Sequence, residues 1–182
     1  MHIYKDIDFD LQLLADSVRI VDERLSGLDS DLDRSFDPDS EGILDRVDYF
    51  SGFGFVACQV YITAHVNHAG IPKRKAIEIG PRHRCKEFMA ALVDAAANQW
   101  KHQAEWSFDF AADSWNFAEL RADTKRTIER LKRLGLDPRP GRYSIANALY
   151  ELTSPHPTRF ESLLPFLQRW RDELCPEKPG DA

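Results

Sequence analysis

The sequence predicts an all-α fold: a helical bundle with a buried central helix, about residues 41–69, packed against a second long helix, about residues 81–106. Three observations predict it. Apolar residues recur at intervals of three and four through most of the chain, which is the spacing of one helix face. No stretch alternates apolar and polar residues strongly enough to predict a sheet. Proline, glycine and serine gather between the periodic segments, where helices stop. At 182 residues, 43% hydrophobic and 30% charged, the chain is long enough for one domain with a real core, and its composition is that of a folded protein. Residues 1–182 read as a single helical domain: an N-terminal helix plus acidic linker (1–40), a bundle core (41–134) and a C-terminal helical extension (135–182).

Taken in order, Leu11, Leu14, Val18, Val21 and Leu25 define a first amphipathic helix from Asp8, with Ser26-Gly27 as its expected end. Residues 27–40 read as a solvated acidic linker. Asp29, Asp31 and Asp33 suggest a calcium loop, but the glycine at its sixth position and the glutamate at its twelfth are missing. Asp39-Ser40-Glu41 offers an N-cap for the central helix, whose Val47, Tyr49, Phe50, Phe53, Phe55, Val56, Val60, Tyr61 and Ile62 fall on every side. Gly52 and Gly54 inside it predict a bend or the close approach of a neighbouring helix. His65 reads as a buried imidazole hydrogen-bonded to a neighbour.

Gly70 to Gly80 is a connection carrying Pro72 and the basic run Lys73-Arg74-Lys75, whose functional reading is attraction of phosphate. Pro81 suits the first position of the second long helix. Cys85, Phe88, Met89, Leu92, Ala95 and Ala96 form its apolar face, with Asp94, Asn98, Lys101, His102 and Glu105 opposite. Ala90, Ala91 and Ala97 also lie on that outer side, and such small residues admit a covering helix from this chain or from a second copy. The expectation is a homodimer across this face. Residues 107–122 read as an aromatic and acidic ordered loop or short helix packed on the core. A helix over 123–134 follows, stopped by Gly135, with Thr127, Ile128, Leu131 and Leu134 inward and Arg126, Arg130 and Arg133 outward. A short helix over 143–152 precedes a last one, for which Thr158-x-x-Glu161 supplies a capping box; Pro165 predicts a kink or a late start.

Composition narrows the function classes. The net charge of −6 is uneven, −9 over residues 1–50 and +3 over 51–182, so a general nucleic-acid binder is excluded and a local phosphate site is not. Cys58, Cys85 and Cys175 are odd in number and widely spaced, which predicts reduced thiols in a cytoplasmic protein. Early acids and the lack of an apolar run predict no signal peptide, and charges within 43–66 predict no membrane span. His83 and His102 are nineteen residues apart, about 28 Å on a straight helix, and no His-Glu-x-x-His or Cys/His spacing is present. No metal and no cofactor are expected. Phosphate-loop, dinucleotide and nucleophile-elbow motifs are absent too.

Polar chemistry is concentrated in Val93–Trp106. Asn98 and His102, four apart, share one helix face. Metal-independent RNA cleavage needs a proton-transfer group, which His102 supplies, and groups that hold phosphate, which Asn98 and Lys101 supply. The stretch Asn98-Gln-Trp-Lys-His102 resembles the signature of the HEPN superfamily. In that family an arginine, commonly followed by a polar residue, stands four to six residues before a histidine. Asn98 matches the polar position and His102 the histidine, while the arginine position falls on Ala97. The resemblance implies a helical bundle, often homodimeric, of bacterial defence or toxin–antitoxin type. It implies either a metal-independent RNase with His102 and Asn98 catalytic or an inactive RNA-binding relative. The alternative is a non-catalytic helical module whose polar face contacts a partner protein.

Overall fold

The computed structural model describes residues 8–106, 108–109 and 111–175, and statements of structure refer to these. The fold is all-α. The described residues form seven α-helices: α1 Phe9–Leu32, α2 Ile43–Ala69, α3 Lys73–Ala76, α4 Met89–His102, α5 Ala122–Arg133, α6 Ser144–Thr153 and α7 Leu164–Leu174. Tight 3-10 turns at Gln103–Glu105 and Phe160–Leu163 extend α4 and lead into α7. A two-residue antiparallel hairpin, Phe108–Asp109 with Ser114–Trp115, is the one pair of strands among the described residues. No described helix is long and apolar enough to cross a membrane.

As the pattern predicts, α2 is the central helix and packs against α1, α4, α6 and α7. Phe55, Cys58 and Ile62 are fully buried along it. Its burial is not complete all round, because Tyr49, Phe53 and Val60 stay exposed. The two glycines report close approach and not a bend. A Cβ at Gly52 would lie 2.1 Å from the Trp100 ring, and one at Gly54 would lie 2.3 Å from Phe160.

Helix α1 runs past its expected end at Gly27 to Leu32. Leu25 and Leu28 continue its apolar stripe into the core, and their burial outweighs the roughly 1 kcal/mol that a helical glycine costs. Asp29 and Asp31 are therefore helical and not part of a linker. Helix α2 begins after Gly42 with no side-chain cap, and Asp39 instead accepts a hydrogen bond from Tyr143 Oη.

The second long helix starts at Met89, eight residues later than Pro81 implies. Residues 81–88 fold back on themselves: Met89 N donates to Pro81 O, His83 N to Glu87 O and Lys86 N to His83 O. Arg82 lies 3.6 Å over the Phe88 ring. His83 is thus on a loop, facing Cys85 Sγ at 3.2 Å and the Glu151 carbonyl at 3.2 Å. Ala90, Ala91 and Ala97, expected under a covering helix, are at most 1% exposed within the single chain. Helices α2, α5 and α6 pack on α4, so the cover over these alanines comes from this chain, the first of the two expected sources.

Residues beyond 140 are integral to the core: Ile145, Leu149, Phe160, Leu167 and Trp170 are all buried. The Thr158 capping box does not form. Asp22 of α1 takes its place, accepting hydrogen bonds from Phe160 N and Glu161 N at 2.8 and 3.0 Å. Pro165 sits in the first turn of α7, the late start. A smaller cluster of Trp115, Leu120 and Ile128, with Trp106 and Phe108 against it, fills the space between the hairpin and α5.

Candidate functional site

The polar end of α4 opens into a cleft of about 780 Å³. Asp94, Asn98, His102 and Glu105 form one wall, stacked at helical spacing along α4 and the turn that follows it. Helix α3 supplies Lys73 and Arg74, and α5 with its N-cap supplies Arg121, Thr124, Arg126 and Arg130. Trp106 and Leu120 of the smaller apolar cluster close one end.

A buried hydrogen-bond network fixes the floor. Asp94 is 6% exposed. Its Oδ1 receives Lys73 Nζ at 2.6 Å and Gln59 Nε2 at 2.6 Å, and its Oδ2 receives Asn98 Nδ2 at 3.0 Å. Gln59 Nε2 also donates to Asn98 Oδ1 at 2.9 Å. A polar side chain removed from water needs such partners. Asn98 is accordingly held by both ends of its amide, with its orientation set by α2 as well as α4.

Lys101 does not line the cleft. Its Nζ donates to Gln59 Oε1 at 2.6 Å on the α2 side. Burial, and then the charge of Lys73, push its pKa below the usual lysine value. The sequence reads Lys101 as a phosphate-binding group beside Asn98 and His102, whereas the structure turns it from the cleft toward α2.

His102 stands at the C-terminal end of α4 with its side chain 46% exposed, and its Nδ1 lies 3.2 Å from Glu105 Oε1. A carboxylate on one ring nitrogen fixes the tautomer and frees the other for proton transfer. Among the described residues, Nε2 has no hydrogen-bond partner.

The family-type arginine position, Ala97, is 0% exposed, so a cation there would point into the core. Cations reach the cleft from elsewhere. Arg126 pairs with Asp123, and Arg130 with Glu78 at 2.8 Å and Glu87 at 3.8 Å. Arg130 was expected on the outer face, but its side chain is only 14% exposed because those two glutamates fold over it. Arg74 and Arg121 line the cleft with no carboxylate partner among the described residues. Arg121 is the N-cap of α5, which has no side-chain cap. The first-turn N–H groups of α5 therefore add a partial positive charge on the same wall.

The sequence marked Asn98 and His102, and the structure brings both to the cleft. It marked Lys73-Arg74-Lys75 for phosphate, and the first two line the cleft. It gave no signal for Gln59, hidden in an apolar helix, or for Arg121, one charge among many. Comparison of the chain with protein-family models, with curated proteins and with solved structures finds no match.

Proposed function

We propose that the cleft binds the sugar–phosphate backbone of RNA and that His102 acts there as the proton-transfer group of a metal-independent ribonuclease. One observation supports this above the rest. Two arginines without acidic partners, Arg74 and Arg121, and the uncapped N-terminus of α5 line the same cleft as the His102–Glu105 pair. Cations and N–H donors hold phosphate and stabilise the charge that builds on it. A carboxylate-held imidazole accepts the 2′-hydroxyl proton as O2′ attacks phosphorus. The imidazolium then delivers that proton to O5′ as the P–O5′ bond breaks, leaving a 2′,3′-cyclic phosphate and a free 5′-hydroxyl. Asn98 fixes the α4 wall against which the backbone lies. This is the HEPN-like reading, of bacterial defence or toxin–antitoxin type, with the cations supplied from α3 and α5 of the same chain in place of the residue before Asn98.

The test is cleavage of single-stranded RNA in EDTA. The wild type is expected to yield cyclic-phosphate ends, and His102→Ala to lose about 100-fold or more of the rate. Cleavage that is absent, or unchanged in His102→Ala, removes the ribonuclease from consideration. A second reading, a helical module for a partner protein, is favoured by the stripe of Phe9, Leu13 and Ile20 on α1, which are 53%, 65% and 67% exposed. RNA binding that survives while cleavage is absent marks an inactive RNA-binding relative; loss of both leaves the partner-protein module.

A further inference from the structure

Away from the cleft, the N-terminal end of α1 meets the C-terminal part of α2 at three side chains of metal-ligating type. His65 Nε2 lies 3.9 Å from Asp8 Oδ1 and 4.0 Å from Asp10 Oδ2, and the three atoms fall within 4.8 Å of one another. We infer that Asp8, Asp10 and His65 form a binding site for a divalent transition-metal ion of the zinc class, which pins the start of α1 to α2.

Three independent features carry it. His65 Nε2 is buried and has no hydrogen-bond partner, although the ring was expected to have one. A buried ring nitrogen left in this state is costly, and an ion on its lone pair removes the cost. Second, Asp8 is held as an outer shell holds a ligand. Tyr61 Oη donates to its Oδ2 at 2.9 Å, Arg171 Nη1 lies 3.0 Å from the same oxygen, and Leu11 N donates to Oδ1 at 2.8 Å. These contacts hold the carboxylate on the side facing His65. Third, the local charge suits a dication. Asp8, Asp10 and Asp172, which pairs with Arg171 at 2.6 Å, set three carboxylates against one guanidinium and leave two negative charges.

The donor set selects the ion. Imidazole with carboxylates suits zinc and its first-row neighbours, whereas calcium and magnesium take oxygen alone. Ligands about 2.1 Å from a tetrahedral ion stand about 3.4 Å apart, so each of the two distances to His65 exceeds that by about half an ångström. Asp10, 55% exposed, is free to move closer. Three protein ligands leave one position to water.

The experiment strips the full chain with EDTA, removes the chelator and titrates with ZnCl2 by calorimetry, with the thermal midpoint followed in parallel. One ion per chain and a raised Tm are expected. Asp10→Asn, at an exposed residue whose carboxylate has no other described partner, is expected to fold as the wild type does. It and His65→Gln should each weaken zinc binding beyond the roughly 10–100-fold that loss of an outer-shell partner costs. The CoCl2-loaded protein should lack a thiolate charge-transfer band, which separates this site from one at Cys85 and His83. The proposal is overturned by no binding, by binding that neither substitution weakens, or by a thiolate band.

Discussion

Two aspartates, Asp22 buried and Asp48 half-buried, do the work of helix caps from a distance, and they do it differently. Asp48 of α2 uses one oxygen, Oδ1, to accept from both Ile145 N and Ala146 N at 2.9 Å, capping α6, which has no cap of its own. Asp22 uses both oxygens, one for Phe160 N and one for Glu161 N. Asparagine retains one acceptor oxygen. Asp48→Asn should therefore be tolerated at neutral pH, while Asp22→Asn, which turns an amide donor toward an N–H, should cost about 1–3 kcal/mol. Asp48→Ala should cost about 1 kcal/mol through the lost cap. Burial raises the Asp48 carboxyl above its ordinary value of 3.8 despite those bonds. The folded protein thus holds this proton more tightly than the unfolded chain does. Its contribution to stability is fully present below 3.8 and is lost as pH rises through the raised value. Urea unfolding from about pH 4 to about pH 7 should show Asp48→Asn gaining on the wild type as pH rises; parallel curves would refute the burial argument.

Between helices, the glycines of α2 set the spacing. Gly54 meets Phe160, which is fully buried and has no room to retreat, whereas Gly52 meets Trp100, which is only partly buried. Alanine gains up to about 1 kcal/mol of helix propensity at either position, but overpacking costs about 1–3 kcal/mol. Gly54→Ala should be clearly destabilising and Gly52→Ala much less so, as read from denaturation midpoints at constant slope; equal effects would mean the two contacts yield alike. The same scale explains where sequence boundaries slipped. Gly27 did not end α1, because Leu28 is fully buried one residue later. Pro81 did not begin α4, because Glu87 is held by Arg133 at 2.6 Å and approached by Arg130, both from α5. Periodicity registers a buried leucine but not a partner from forty residues away.

Across the molecule, the acidic α1 packs on α2, and two of the acids of residues 1–50 pair with the basic remainder, Asp8 with Arg171 and Asp29 with Arg159, while Arg74 and Arg121 are left to line the cleft. RNA binding at the cleft should therefore be salt-dependent despite the net charge of −6. Arg74→Ala and Arg121→Ala should each weaken binding and reduce the slope of log affinity against log salt by about 0.7. Lys101→Ala, facing Gln59, should leave that slope unchanged. Equal slopes for all three variants would show that the cleft is not where phosphate sits.

From the sequence alone came the all-α class, the central helix, the inward residues of α5, and the polar face bearing Asn98 and His102. Each follows from a periodicity that any helix imposes on its own residues. The cover over Ala90 and Ala97, the cap that Asp22 gives the turn before α7, the turn of Lys101 toward Gln59, the shared cleft of Arg121 and His102, and the approach of Asp8 to His65 were decided only in three dimensions. Those depend on which helix lies against which. Such contacts join residues up to 139 positions apart, and no local pattern encodes them, because their energy comes from a partner that is beside the residue only once the chain has folded.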